Sequence, residues 1–547
     1  MKQEEIGSFD TVIAGGGVAG LTTALELLKD GQRVCIIDRD TKERLGGLAR
    51  WAFGGMALCG TPQQKMMRIP DNPTRLLKDW HSFADFGEDD YWPKVWAKDY
   101  ADNNYEKVYK WLKELGLKFL PAVNWIERGL YTPGNSVPRY HILWGTGWEL
   151  AEVIIKHLNP YLDNGKLTIL YQHKVLKPVL DNDNFSYCEV ENEQTSENFN
   201  ITAKDMVIAC GGVNGSTENV KKHWHKPWGE PPLELYNGAN PISDGALHQE
   251  AQKLGANLTH LDKMWNYAAG IKHPQAEFDG HGLSLIPCKS ALWLNHKGKR
   301  IGPDPLVTGF DTNYLCKRVA EQEKPWTWQI LNWDIAAKEL AVSGSMHNPS
   351  IRDKKFLSFA KEVFLGNHRL VKQLESECDD FICADSIEEL VSQMNKITDQ
   401  DYIDTASLHQ EISEYDDRMS HGFGLENDDQ IRRIHHARQW RSDRLRTCKP
   451  KPILAKGQGK LIAIKLKLIS RKSLGGIQTN LQSQVLNNNQ QVINGLYCVG
   501  EAAGFGGGGS NGFRSLEGTF LSACILTARN AVDAILQNNN EQLRKEK

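Results

Sequence analysis

The chain opens on three apolar runs with different periods. Residues 11–14 are continuously apolar, as a strand buried on both faces requires. Three glycines follow. Val18, Leu21, Ala24, Leu25 and Leu28 then recur at helical spacing. Residues 33–37 return to a short apolar run that stops at Asp38. The order strand, glycine turn, helix, strand predicts a parallel βαβ unit with a right-handed crossover.

Further along, Asn72-Pro73 reads as a helix N-cap followed by proline at the first helical position. That helix runs to Phe86, and a longer one covers residues 92–115. Between 167 and 203 the pattern shifts to short strands joined by turns such as Asp181-Asn182-Asp183-Asn184. Residues 205–209 read as a buried strand stopped by Gly211-Gly212. From 266 to 449 the chain is richer in polar helices, at 353–374 and 387–396, with a hairpin turn at Gly298. Strand patterns return at 460–469 and 495–499, and a helix closes the chain at 519–536. The predicted fold is α/β. A Rossmann-like (glutathione-reductase-type) dinucleotide domain, with a parallel sheet and a small antiparallel layer, is split into residues 1–265 and 450–547. An inserted α+β cap occupies 266–449.

At 547 residues, 40% hydrophobic and 24% charged, the chain has the balance of a globular protein of two or three structural units. Its net charge of −3 and lack of a basic stripe argue against nucleic acid. No run of about 18 apolar residues predicts a membrane span. The polar residues 1–10 lead straight into a strand without the shape of a signal peptide, so a cytoplasmic location is expected. The 11 cysteines stand singly, and Cys378 and Cys383 fit no zinc spacing; reduced thiols and no metal site are expected. Seven of the 16 tryptophans lie between Trp80 and Trp148, as a packed helical layer or as walls of an apolar cavity.

The glycine turn carries the first chemistry. Gly15, Gly17 and Gly20 form GxGxxG between a strand and a helix, and Asp38 follows at the end of the next strand. Such a turn lets the backbone approach a pyrophosphate at a helix N-terminus, and the carboxylate accepts ribose hydroxyls. NAD and FAD share this pattern. Three further segments favour FAD: Gly46-Gly47 with Gly54-Gly55-Met56, then residues 208–212, then 496–501 leading into a glycine-rich turn. A flavin held along its length needs that last segment.

With these residues in view, the sequence resembles the FAD-binding dehydrogenases of the fumarate reductase, succinate dehydrogenase and 3-ketosteroid dehydrogenase superfamily. The resemblance is strong at both ends and weak in the middle. Strings such as Ser473-Leu474-Gly475-Gly476-Ile477-Gln478-Thr479 and the run from Gly500 to Gly509 carry it. It implies that Gly15, Gly17 and Gly20 line the pyrophosphate and that Gly46, Gly47, Gly54, Gly55 and Met56 run beside the flavin. Val175 would contact adenine, and Ala209, Gly211 and Gly212 would pass its ribose. Asp244 and Glu501 would hold the ribityl region. Ser515 and Leu516, at a helix N-terminus, would meet the flavin N1–O2 edge. Covalent members use a His before the second Gly-Gly; residues 48–53 contain none, so noncovalent FAD is expected.

The reacting centre departs from the family. The segment 303–309 has no Arg where fumarate reductases carry one, and the family's late His falls at Arg471. The tyrosines of ketosteroid dehydrogenases fall near Thr308 and Asn511-Gly512-Phe513. Candidate groups are Arg471, before the Leu474-Gly475-Gly476 turn, Arg514, and Arg139-Tyr140-His141, with Tyr267 a further option. The resemblance implies an FAD-dependent oxidoreductase acting on a C–C bond next to a carbonyl, in a steroid-like or other cyclic ketone. A small-molecule substrate and an electron acceptor or donor would be its partners. A fumarate-reductase-like enzyme on a small carboxylic acid, with Arg471 and Arg514 binding the acid, is the alternative, and a noncatalytic flavin-binding protein is a third.

Overall fold

The computed structural model describes residues 8–545. The polar start on which the cytoplasmic expectation rests lies largely outside the described residues. The strand Phe9–Ala14 pairs in parallel with Val34–Asp38 on one side and Asn198–Ile208 on the other. Leu167–Tyr171 adds to the first neighbour and Val492–Cys498 to the second, also in parallel. Chain segments nearly 500 residues apart therefore share one sheet. Its strands are buried on both faces, which is why residues 11–14 and 34–37 are apolar without alternation. His173–Asp181, Asn184–Asn192 and Asn198–Ile208 form the antiparallel layer. Asn182 and Asp183 turn its hairpin with positive φ, as short polar residues tolerate.

A second sheet has the order 292–294, 326–332, 461–473, 264–272, 282–286, 341–342. Leu461–Ser473 is its longest strand and pairs antiparallel with Trp326–Asn332 and Met264–Lys272. The strand read at 460–469 thus belongs to the same sheet as strands of the inserted segment.

The predicted cap at Asn72 is present: its side chain accepts a hydrogen bond from the Arg75 N–H at 2.9 Å. The single helix expected over 353–374 is two, Phe356–Leu365 and His368–Glu377. Gly366 at φ 97° ends the first, and the Asn367 side chain caps the second. Trp80, Trp96 and Trp111 are core residues, whereas Trp125 lines a cavity, so the tryptophan cluster serves both packing and a cavity wall. The closing helix Thr519–Lys545 contains one window, Thr519–Glu541, long and apolar enough to cross a membrane. It is 72% buried, and it packs along the first helix, Val18–Lys29, as a core element.

Candidate active site

A continuous cavity of about 480 Å³ begins where the parallel strands end and runs into the second sheet. Gly15, Gly17, Asp38, Gly46, Gly47, Val175, Ala209, Gly211 and Asp244 line its start. Gly54, Gly55, Tyr140 and Glu501 follow, then Tyr267, Arg471, Lys472 and Glu517. The far end is walled by Leu285, Trp293, Leu315, Ile351, Phe359 and Val363, with Lys289, Glu339, Asp443 and Arg446 among them.

The start of the cavity is built from backbone. Gly15 sits at φ 112°, and a Cβ there would lie 2.4 Å from the Ala209 carbonyl oxygen. Gly20 closes the helix onto the same turn: its Cβ would meet the Gly15 oxygen at 2.0 Å. Gly17 is different, because nothing stands within 4 Å of its Cβ position and that space belongs to the cavity. Asp38 accepts hydrogen bonds from the Gly16 and Asp40 N–H groups; burial raises its pKa and those bonds oppose the rise. Asp244 accepts from the Ala246 N–H at 2.9 Å and pairs with Arg39 at 2.7 Å. Glu501 accepts from the Ser473 N–H at 2.9 Å, and burial pushes its pKa up to about 7. A bare glycine cradle beside a helix N-terminus, a pinned carboxylate at the second strand end and a long channel beyond them fit an FAD.

Past Glu501 the side chains become chemical. Tyr140 lies against Gly55, where a Cβ would fall 1.9 Å from the phenolic oxygen. The Tyr267 hydroxyl and the Trp265 indole both donate to Glu517 Oε2, at 2.7 and 3.0 Å. Burial and the Glu517 charge raise the pKa of both tyrosines. Arg471 arrives through a β-bulge. Trp265 is opposite Lys472 and Asn266 opposite Ser470, so Arg471 is the extra residue, and both it and Lys472 reach the cavity. Arg471 is buried without a carboxylate partner. Its Nη1 donates to Ser284 Oγ at 3.4 Å and its Nε has no acceptor. Lys472 lies 4.2 Å from the Phe520 ring centroid, and burial lowers its pKa to about 8.

Several expected site residues lie elsewhere. Arg139 does not line the cavity. It makes a bidentate pair with Asp71 at 2.8 Å, a second pair with Asp79, and a bond to Asn135 Oδ1 at 2.7 Å. His141 bonds Thr61 Oγ1 at 2.8 Å and the Arg139 carbonyl at 2.6 Å, and burial lowers its pKa to about 4. Both are satisfied core groups; of the triplet only Tyr140 faces the cavity. Arg514 is held by Asp85 and Asp311 outside the cavity lining. Ser515 and Leu516 are buried in the turn before the last helix, which starts at Thr519, where the sequence pattern puts it. Their neighbour Glu517 faces the cavity instead. Met56, Gly20 and Gly212 back the cavity rather than line it, and so does the Leu474-Gly475-Gly476 turn. Glu517 and Lys472 were missed. The available signal was Trp265-x-Tyr267: residues two apart on a strand share a face and offer two donors to one acceptor.

Fold and site together define a flavin-dinucleotide protein with a cavity that extends beyond the cofactor turn. The chain belongs to the family described as FAD binding domain, whose model matches residues 10–521, and it is an FAD-dependent oxidoreductase. It is 36% identical over 541 residues to a KsdD-like steroid dehydrogenase of Mycobacterium tuberculosis, covering 95% of this chain and 94% of that protein. The 3-ketosteroid Δ1-dehydrogenase of Sterolibacterium denitrificans has the same fold at TM-score 0.69 and 14% identity, over 97% of this chain and 100% of that one. A flavocytochrome c3 fumarate reductase matches at TM-score 0.68 and 19% identity, over 98% and 79%.

Two outcomes follow. Asp38→Ala is expected to weaken FAD binding at least about tenfold, the scale of one lost charge-assisted hydrogen bond. Titration of the apoprotein measures it, and full flavin retention through gel filtration would remove Asp38 from the cofactor site. Arg139→Ala strands two buried carboxylates and is expected to cost about 3–5 kcal/mol in a urea melt. A loss of turnover at unchanged stability would return Arg139 to the reacting centre.

Proposed function

We propose that the protein oxidises or reduces a C–C bond next to a carbonyl in a steroid-like or other cyclic ketone, using noncovalent FAD. The observation that carries this reading is the change in the cavity's walls at Arg471. Before it the lining is rich in glycine and carboxylate; beyond it aliphatic and aromatic side chains enter the wall, with Lys289, Glu339, Asp443 and Arg446 among them. A rigid, mostly hydrocarbon molecule with one ketone matches that division. The name of the 36% identical relative, a KsdD-like steroid dehydrogenase, supports it. In this reading residues 1–265 and 450–547 form the FAD-binding part, 266–449 form the cap, the protein works in the cytoplasm, and a separate electron acceptor or donor completes the cycle.

Bound FAD supplies the hydride exchange. The chain supplies charge and proton handling. Arg471 binds the carbonyl oxygen and stabilises the negative charge that develops there as the neighbouring carbon loses its proton. Burial lowers the Arg471 pKa, but a guanidinium stays charged and cannot take that proton itself. Glu517 is the carboxylate at the junction, and its Oε2 is fixed by two donors. It accepts the proton in the oxidising direction and returns it in the reducing one. Tyr140 offers a second hydroxyl to the carbonyl oxygen. The aliphatic walls exclude water, which strengthens each of these interactions.

The unpaired Arg471 also favours a second reading, a small carboxylic acid. Arg514, the other arginine that reading requires, is engaged by Asp85 and Asp311 outside the cavity lining.

Stopped-flow absorbance of the flavin with a panel of cyclic enones and dicarboxylates decides between the readings. Arg471→Ala is expected to keep FAD and slow substrate-dependent flavin reduction or oxidation at least about 100-fold, and Arg471→Lys to recover part of it. Glu517→Gln is expected to slow the same step and flatten its pH profile. Near-normal rates in both variants, or turnover of dicarboxylates alone, would overturn the ketone reading. Denaturation is expected to release the flavin into the supernatant; flavin that stays on the polypeptide would refute noncovalent binding.

A further inference from the structure

The helix Phe356–Leu365 breaks the usual rule for a surface helix. None of its residues is fully buried, yet six of its ten are large and apolar: Phe356, Leu357, Phe359, Val363, Phe364 and Leu365. Its inner side carries Phe359 and Val363, both cavity-lining, with Phe359 packed edge-on to Trp144 at 5.6 Å. Its outer side carries Leu357, Lys361, Phe364 and Leu365, spaced i, i+4, i+7 and i+8 and hence on one face. Leu357 is 83% exposed, Phe364 66% and Leu365 67%. A single exposed leucine needs no explanation, but three large apolar side chains on one outer face do.

Two more observations identify what covers that face. The cavity comes to the surface at this helix: Phe359 and Val363 line it and are themselves only partly buried. The flanks are basic. Residues 352–369 carry Arg352, Lys354, Lys355, Lys361 and Arg369 against Asp353 and Glu362, an excess of three positive charges in a chain of net −3. Lys361 makes no ion pair among the described residues, and Lys355 pairs only with Asp353, at 3.2 Å. An apolar face edged by lysines is the pattern of a helix lying in a bilayer interface, with its long axis in the plane and its charges toward anionic headgroups.

We propose that Phe356–Leu365 docks the protein on an anionic lipid surface and sets the cavity mouth against the apolar phase. A lipophilic substrate, or a lipophilic electron carrier, then passes between membrane and cavity without crossing water. Only that last clause rests on the ketone reading; the docking itself needs no substrate.

The test is cosedimentation of the FAD-loaded, full-length protein with vesicles of phosphatidylcholine alone or with 30% phosphatidylglycerol, on the order of the anionic content that attracts basic interfacial helices. Wild type is expected to pellet with the anionic vesicles, less so as salt rises and the charges are screened. The double variant Leu357→Asp and Phe364→Asp is expected to bind at least about tenfold more weakly, with unchanged flavin content and unchanged turnover of a water-soluble substrate. Lys355→Glu with Lys361→Glu is expected to abolish the preference for anionic lipid. Equal pelleting of wild type and the aspartate variant, or binding to neither vesicle, would overturn the proposal. A dimer seen by analytical ultracentrifugation and lost in the aspartate variant would overturn it too, by giving the face to a second copy. If vesicles bind but no cyclic ketone reacts, docking stands and the ketone reading fails.

Discussion

The requirement that backbone alone approach a charged dinucleotide governs the cofactor half of this molecule. At Gly15 the chain turns with φ 112° directly against the Ala209 carbonyl, leaving no volume for a side chain. The turn works because strands from residues 9, 34, 198 and 492 end on one edge of one sheet. Gly16 N–H donates to Asp38, so the turn and the second strand end are fixed to each other. The N-terminus of the helix Val18–Lys29 then points its free N–H groups into the cavity. At this turn the lining is backbone, and Asp38 at the next strand end is held by the turn's own Gly16 N–H.

The reacting half meets the opposite constraint. It must hold charge on buried side chains, and buried charge is costly unless it is paired. The molecule tolerates this unevenly. Arg139, away from the cavity, is fully paired with Asp71 and Asp79. Arg471 is delivered by a β-bulge with one long hydrogen bond and an unused Nε, and Lys472 beside it is depressed to about 8. A donor left unsatisfied in a closed site retains its capacity for a ligand, which is why unpaired polar groups concentrate where ligands bind.

That contrast explains how much the sequence told. The glycine turn, Asp38, the strand order around it and the Asn72 cap follow from local rules: period, glycine placement and a carboxylate at a strand end. Arg471 does line the cavity, but through a β-bulge in its strand; the Gly475-Gly476 turn that drew notice to it lies behind the lining. Arg139 and His141 stand near a glycine turn, and nothing local marks them as paired; Asp71 and Asp79, some 60 residues earlier, engage Arg139, and Thr61 engages His141. Glu517 was hidden for the complementary reason. Its partners Trp265 and Tyr267 lie about 250 residues upstream, and it sits in the turn just before the helix that starts at Thr519. Gly366 was the cue for splitting the helix predicted at 353–374, but its effect was outweighed by the helical period on both sides.

The same split shapes the outer surface. Had 353–374 been one straight helix, an apolar stripe on one side would have sufficed to pack it. Breaking it at Gly366 leaves a ten-residue piece, about 15 Å long, standing over the cavity. Such a short helix has little intrinsic stability in water and depends on what its faces touch. Its inner face touches the cavity wall and Trp144; its outer face carries Leu357, Phe364 and Leu365. An apolar ligand crossing water loses the solvation advantage that makes it prefer an apolar cavity in the first place. A thin helix, apolar on both faces, removes that crossing by placing two apolar phases one helix diameter apart. The helix is then a partition between two solvents, and its composition follows from having apolar surroundings on both sides.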